Sequence, residues 1–282
     1  DGMVEERRIF QICHDSPERA GLVHAFFAER ATARIPEAKE TPRPLEAVGV
    51  IGGGTMGSGI ATALLLAGLP VTLSETSEEA ADAARQRIAA NLDGAVMRGK
   101  MTAAARDQAL NTLTLGADLS IHAQADLIIE AAFEDMAVKQ AIFRDLDAVA
   151  KPGALLATNT SYLDVNQIAA ATSRPADVLG LHFFSPAHVM RLLEVVVADQ
   201  TAPDAVATGF ALGKRLRKVA VRAGVCDGFI GNRILNRTKA AADHLLLMGA
   251  TPAQVDAALE NWGAAMGPFA VLDMAGLDIG WA

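Results

Sequence analysis

The sequence predicts an α/β protein: a doubly wound, mostly parallel sheet, preceded by a helical segment and followed by an all-helical part. Three observations carry this. Short apolar runs alternate with helical stretches from residue 46 to about 224, a glycine-rich turn joins the first run to its helix, and residues 228–282 keep only helical patterning. A chain of 282 residues, 51% hydrophobic and 21% charged, can bury a sizeable core and hold two domains.

The elements follow in order. Residues 1–31 have helical periodicity, with Phe10, Cys13, Ala20, Val23, Phe26 and Phe27 as the apolar set. ATARIPEAKETPRPLE, with three prolines and mixed charge, reads as a linker. The expected division is therefore 1–45 helix and linker, 46–224 nucleotide-binding domain, and 225–282 helical domain. AVGVIG (47–52) is a buried-type strand, followed by a helix through Ala67. PVTLSE (70–75) is the second strand, and Thr76-Ser77-Glu78-Glu79 caps a long amphipathic helix over 77–99. Further strands fall at 125–131, 154–160 and 178–184; MRLLEVVV (190–197) returns after a short loop and is expected antiparallel. RKVAVR (217–222) is the last strand, and Pro252 and Pro268 stand near helix starts.

Composition narrows the partners. A formal charge of −8 argues against a general affinity for nucleic acid or an anionic membrane, so an anionic substrate needs locally placed cations or helix N-termini. Cys13 and Cys226 give neither a disulfide framework nor metal spacing, and both are expected reduced and buried, as in a cytosolic-type compartment. The most apolar run, IATALLLAGL at 60–69, suits a buried helix and is too short to span a bilayer. DGMVEERR is no signal peptide or natural start, so the chain reads as a piece of a longer protein.

Gly52, Gly54 and Gly57 form G-x-G-x-x-G between a predicted strand and a predicted helix, the context that gives this weak pattern meaning. Gly52 permits the turn, Gly54 the approach of a pyrophosphate, and Gly57 the packing of helix on sheet. The helix N-terminus, through Thr55 and Met56, supplies amide donors for phosphates. Glu75 ends the second strand, where a carboxylate accepts both adenosine ribose hydroxyls and repels a 2′-phosphate; NAD is the expected cofactor.

Ligands of such sheets bind beyond the carboxyl ends of the strands. Among six histidines, His182 meets that condition, closing VLGLHFF before Ser185-Pro186. If 178–184 and 190–197 form a return centred near His188, His182 and Glu194 face each other. A carboxylate there fixes the imidazole tautomer and stabilises the imidazolium formed on proton uptake. A His–Glu pair that merely satisfies itself in the core is the alternative, and spacing alone leaves it open. Ser161, after ALLATNT, reaches the same edge and can donate to a substrate oxygen; Asn232, in GFIGNRIL, can reach over from the helical part.

GVIGGGTMGSGIA, ATNTS, GLHFFSPAHVMRLLEVV, DGFIGNRI and MGPFAVLDMAGLDIGWA together resemble the L-3-hydroxyacyl-CoA dehydrogenases of fatty-acid β-oxidation, in order, from about residue 46 to the end. Residues 1–45 look like the stretch joining an enoyl-CoA hydratase domain to the dehydrogenase in the multifunctional enzymes. The resemblance implies a Rossmann-type fold and NAD-dependent oxidation of an (S)-3-hydroxyacyl-CoA. It puts the base on His182, its carboxylate on Glu194, the substrate-oxygen donor on Ser161 and the substrate-positioning asparagine on Asn232. Cofactor contacts fall on the 52–57 loop, Glu75, Glu134 and Lys139, although AAFEDMAVK by itself reads as an ordinary helix start. CoA contacts fall near Asn91 and Arg98, with Lys100 as a further cation. The implied partners are acyl-CoA, a hydratase domain in the full-length chain and a second copy as a homodimer, in a bacterial cytoplasm, a peroxisome or a mitochondrion. The rival readings are a dehydrogenase of small hydroxy acids and an inert nucleotide-binding module.

Overall fold

The computed structural model describes residues 1–275. Contacts divide the chain into two units, Asp1–Cys226 and Asp227–Ala282. The first begins with helices α1 (Gly2–Asp15) and α2 (Pro17–Ala31) and a 3₁₀ turn at Pro36–Lys39. Then come β1 (Val48–Ile51), α3 (Thr55–Leu66), β2 (Val71–Ser74), α4 (Glu78–Met97), α5 (Ala103–Asn111), β3 (Leu113–Gly116) and a second 3₁₀ turn at Leu119–His122. β4 (Leu127–Glu130), α6 (Met136–Val149), β5 (Leu155–Thr158), α7 (Val165–Ala169) and a short 3₁₀ turn (Pro175–Asp177) lead to β6 (Val178–Phe183). β7 (Leu192–Val197), α8 (Pro203–Arg215) and β8 (Val219–Gly224) complete the unit. The second unit holds α9 (Gly231–Leu247), α10 (Pro252–Trp262) and α11 (Pro268–Ala275).

The strands form one sheet in the order β3-β2-β1-β4-β5-β6-β7-β8. Every pairing is parallel except β6 with β7. A parallel sheet covered on both faces needs apolar side chains on both, and β1, β4 and β5 are buried at every position. Val48, Val50, Ile60, Leu64, Leu73, Ile88, Leu127, Leu155 and Leu181 belong to one core joining sheet and helices. Ser77 caps α4, its side chain accepting from the Ala80 amide, and Thr251 and Gln254 form a capping box on α10.

The structure departs from the sequence reading in four places. α5 and β3 carried no sequence signal, because LTLG is an edge strand with only Leu113 buried. β7 and β8 each begin two residues later than expected, at Leu192 and Val219. α1 and α2 form, but no side chain of either is buried, so the set Phe10, Cys13, Ala20, Val23, Phe26 and Phe27 faces no core in this unit. The cysteines were expected buried and both are exposed: Cys13 lies on α1, and Cys226 lies past the last strand.

The proline-bearing segment is fastened to the sheet unit. Arg222 of β8 donates to Glu37 from Nε (3.1 and 3.2 Å) and Nη2 (2.9 Å). Arg43 reaches Asp204 of α8 (2.8 Å) and Asp177 (2.7 Å). Among the described residues no helix is long and apolar enough to cross a membrane. The closing GLDIGWA of the last motif lies outside the described residues.

Candidate active site

The turn after β1 is shaped by close approach. Gly52 has φ +87°, and a Cβ there would lie 2.8 Å from the Ala131 carbonyl oxygen. A Cβ on Gly57 would lie 1.7 Å from the Gly52 carbonyl oxygen, so the first turn of α3 sits on the loop as only glycine allows. Gly54 is the N-cap of α3, and its missing Cβ faces open space. Among the described residues no side chain caps this helix, so the amides of Thr55, Met56 and Gly57 are first-turn donors without an intrahelical acceptor.

The loop is tied from below. The Gly53 amide donates to Glu75 Oε1 (2.6 Å), and its carbonyl accepts from Ser58 Oγ (2.6 Å) and Arg87 Nη1 (3.1 Å). Glu75 is half-buried just past β2, its other oxygen accepting from the Thr76 amide (3.0 Å). Open space at Gly54, a bare helix N-terminus and a carboxylate closing the neighbouring strand fit the pyrophosphate and ribose of a dinucleotide.

A buried network organises the next strand ends. Glu130, the last residue of β4, is fully buried; its Oε1 accepts from Lys139 Nζ (2.7 Å) and the Ala132 amide (2.8 Å), its Oε2 from Thr158 Oγ1 (2.7 Å). Lys139 is 1% exposed and also reaches Glu134 Oε2 at 3.3 Å. Glu134 Oε1 in turn accepts from Thr160 Oγ1 (2.5 Å) and the Ser161 amide (2.8 Å). Lys139 and Glu134, both expected as cofactor contacts, meet each other here, and together they hold the loop that carries Ser161. Neither Glu130 nor Asn159 was singled out from sequence. The first has a legible signal, an acid closing the apolar run LIIE.

His182 and Glu194 are brought face to face. They are register partners across the antiparallel β6–β7 pair, and Nδ1 of His182 lies 2.6 Å from Glu194 Oε2. His182 is 3% and Glu194 1% exposed, at the carboxyl end of β6. With Nδ1–H donating to the carboxylate, the basic lone pair of the ring is on Nε2. The Phe184 ring stands 4.4 Å from the imidazole, centroid to centroid. Asn159 Oδ1 accepts from the Phe183 amide (2.8 Å), linking the end of β5, and so the Ser161 loop, to β6. His188 sits in the β6–β7 connection, as expected; burial and the charges of Arg98, Lys218 and Lys100 hold its imidazole below the ordinary range.

Asn91 and Arg98 belong to α4, and Asn232 to the second unit. Asn91 on α4 donates to Thr62 Oγ1 of α3 (3.2 Å), joining the two helices. Arg98 is the C-cap of α4, exposed, with its guanidinium folded over Gly94. Asn232 lies in the first turn of α9, in the second unit.

A doubly wound sheet with a dinucleotide turn at one strand end and a carboxylate-held histidine at another has the build of a nicotinamide-dependent dehydrogenase. Residues 47–226 match the model of the 3-hydroxyacyl-CoA dehydrogenase NAD binding domain, and residues 228–282 that of the C-terminal domain. The chain belongs to the 3-hydroxyacyl-CoA dehydrogenase family. It is 42% identical to the peroxisomal bifunctional enzyme of Danio rerio over 100% of this chain and 39% of the relative. It is 39% identical to the peroxisomal fatty acid beta-oxidation multifunctional protein of Oryza sativa subsp. japonica, over 100% and 39%. The chain thus spans 39% of the length of these curated relatives. Among solved structures, FadB2 of M. tuberculosis is 41% identical with a TM-score of 0.81, matched over 84% of both chains. The 3-hydroxybutyryl-CoA dehydrogenase of Escherichia coli is 40% identical with a TM-score of 0.80, over 84% of this chain and 51% of that one.

Proposed function

We propose that the protein oxidises an (S)-3-hydroxyacyl-CoA to the 3-ketoacyl-CoA, and runs the reverse, with His182 as general base. The observation that carries this reading is the 2.6 Å contact between His182 Nδ1 and Glu194 at the carboxyl edge of the sheet. When bound, NAD supplies the acceptor for the hydride that leaves C3. His182 Nε2 takes the hydroxyl proton as C3–O becomes a carbonyl, and Glu194 stabilises the resulting imidazolium. Ser161 donates to the reacting oxygen and Asn232 positions the thioester end.

The 52–57 loop holds the pyrophosphate and Glu75 the adenosine ribose, while Lys139 serves the cofactor site through Glu134, whose carboxylate it helps to fix. Arg98 and Lys100, close enough to His188 to depress its titration, give an acidic chain its local cations for CoA phosphates, with Asn91 earlier on α4 as a further contact. In the whole protein, residues 1–45 join an enoyl-CoA hydratase domain to the dehydrogenase domain at 46–224 and its helical partner from 225, and a second copy completes a dimer. The names of the plant and animal relatives support a peroxisome; in a bacterium the same enzyme would work in the cytoplasm.

Loss of NADH absorbance on mixing with acetoacetyl-CoA tests the reading. Turnover that CoA inhibits by competition is expected. Turnover of small keto acids indifferent to CoA would move the substrate to the small hydroxy acids, and no turnover with NADH bound would favour an inert module.

A further inference from the structure

Eight residues join β6 to β7 outside the ladder that pairs His182 with Glu194. At their far end the Arg191 carbonyl accepts from the Val219 amide (2.7 Å) and the Arg191 guanidinium pairs with Glu29 (3.2 Å). Two further contacts fasten the middle of the connection. Ala187, fully buried in this connection, packs against α3 at Gly59, where an added Cβ would lie 3.1 Å from the Ala187 Cβ. From the other side Lys218, the residue before β8, sends its ammonium into the loop. Nζ donates to the carbonyls of Ala187 (2.7 Å) and Met190 (2.6 Å) and lies 5.4 Å from the centroid of the Phe183 ring. Phe183 is the neighbour of His182 in β6 and pairs with Leu193, the neighbour of Glu194 in β7. One cation thus touches the end of the base's strand and closes the loop before the carboxylate's strand.

We propose that Lys218 is a positioning residue for the His182–Glu194 pair, clamping the β6–β7 connection so that imidazole and carboxylate stay in hydrogen-bond register. It rests on the reading of His182 as the base. Charge-assisted bonds to two carbonyls are stronger than neutral ones, and an ammonium over an aromatic ring adds to them. Burial lowers the Lys218 ammonium to about 8, so it keeps its charge at neutral pH. No substrate or cofactor contact is required of Lys218. Its effect reaches the chemistry through geometry, where an ångström of misplacement costs roughly a hundredfold in rate.

The full-length protein and its K218M and K218R variants are compared in acetoacetyl-CoA reduction, NADH affinity by fluorescence, and thermal melting. Selectively ¹⁵N-histidine-labelled protein gives a second readout: the downfield Nδ1 proton of His182, assigned by its absence in H182A. K218M is expected to lower kcat roughly ten- to hundredfold with KM and NADH affinity unchanged, and to broaden or lose that proton. K218R, which keeps charge and donors, should retain the proton and stay within about threefold of the parent kcat. A K218M protein with parent kcat and an unchanged proton overturns the clamp. So does a K218R protein as impaired as K218M with melting and NADH affinity intact. If the parent shows the proton but reduces no acetoacetyl-CoA, the functional reading fails, and the proton in K218M still decides the clamp.

Discussion

Two buried histidines, one in the sheet and one packed against it, have opposite surroundings. His122, fully buried, packs against β1 at Gly49, with Nδ1 2.7 Å from Thr72 Oγ1 and Nε2 2.9 Å from Ser74 Oγ. Hydroxyls accept or donate as needed, so either neutral tautomer is satisfied, and burial lowers the ring to about 4. His182 is nearly as buried, but its partner is a carboxylate and its place is the end of a strand. Burial therefore does not separate His122 from the histidine proposed as the base. The charge of the partner and the position on the sheet do.

The largest expected effect comes from removing the second of the pair. H182A should lose about two to four orders of magnitude in kcat while NADH affinity and melting stay near the parent values. A variant that reduces acetoacetyl-CoA at the parent rate would dissolve the distinction between the two sites.

The next is a pH effect on His122. An unfolded histidine binds its proton near 6.5, whereas the folded ring does so only near 4. Between those values the unfolded chain holds more protons, so stability falls as the pH drops through that window, by up to about 3 kcal/mol. His188, also depressed, acts in the same direction. Denaturant midpoints measured from pH 7.5 to 4 should show the slope in the parent and a flatter one in H122Q, with kcat at pH 7.5 within about twofold of the parent. Smaller still, T72V removes one hydroxyl from the His122 ring and should cost about 1–2 kcal/mol of stability, read by urea denaturation, with no change in kcat.

What the sequence made legible follows from how each feature is encoded. The glycine turn is a local pattern with a fixed context, and its residues sit where the pattern put them. The His182–Glu194 register was readable because a short return has a centre, and two residues equidistant from it must meet. β3 was not readable, since an edge strand with one buried side chain has no apolar run. Lys139 reads as an exposed lysine near a helix start, and nothing local says that Glu130, nine residues earlier, draws it into the interior. Lys218 is hidden for the same reason, its acceptors being backbone carbonyls 28 and 31 residues away. The exposed cysteines show the converse, a residue type with a strong burial habit placed on a helix that buries nothing, Cys13, and on an exposed bend past the last strand, Cys226.

The central claim is that Glu194 makes His182 a base, and Glu194→Gln tests it most directly. The amide keeps the size of the side chain and takes away the charge that fixes Nδ1–H and supports the imidazolium. Single-turnover reduction of acetoacetyl-CoA by NADH, followed at saturating cofactor, should slow at least about a hundredfold, with NADH affinity unchanged. A Glu194→Gln protein that turns over at the parent rate would leave the pair as a self-satisfied element of the core and contradict the account.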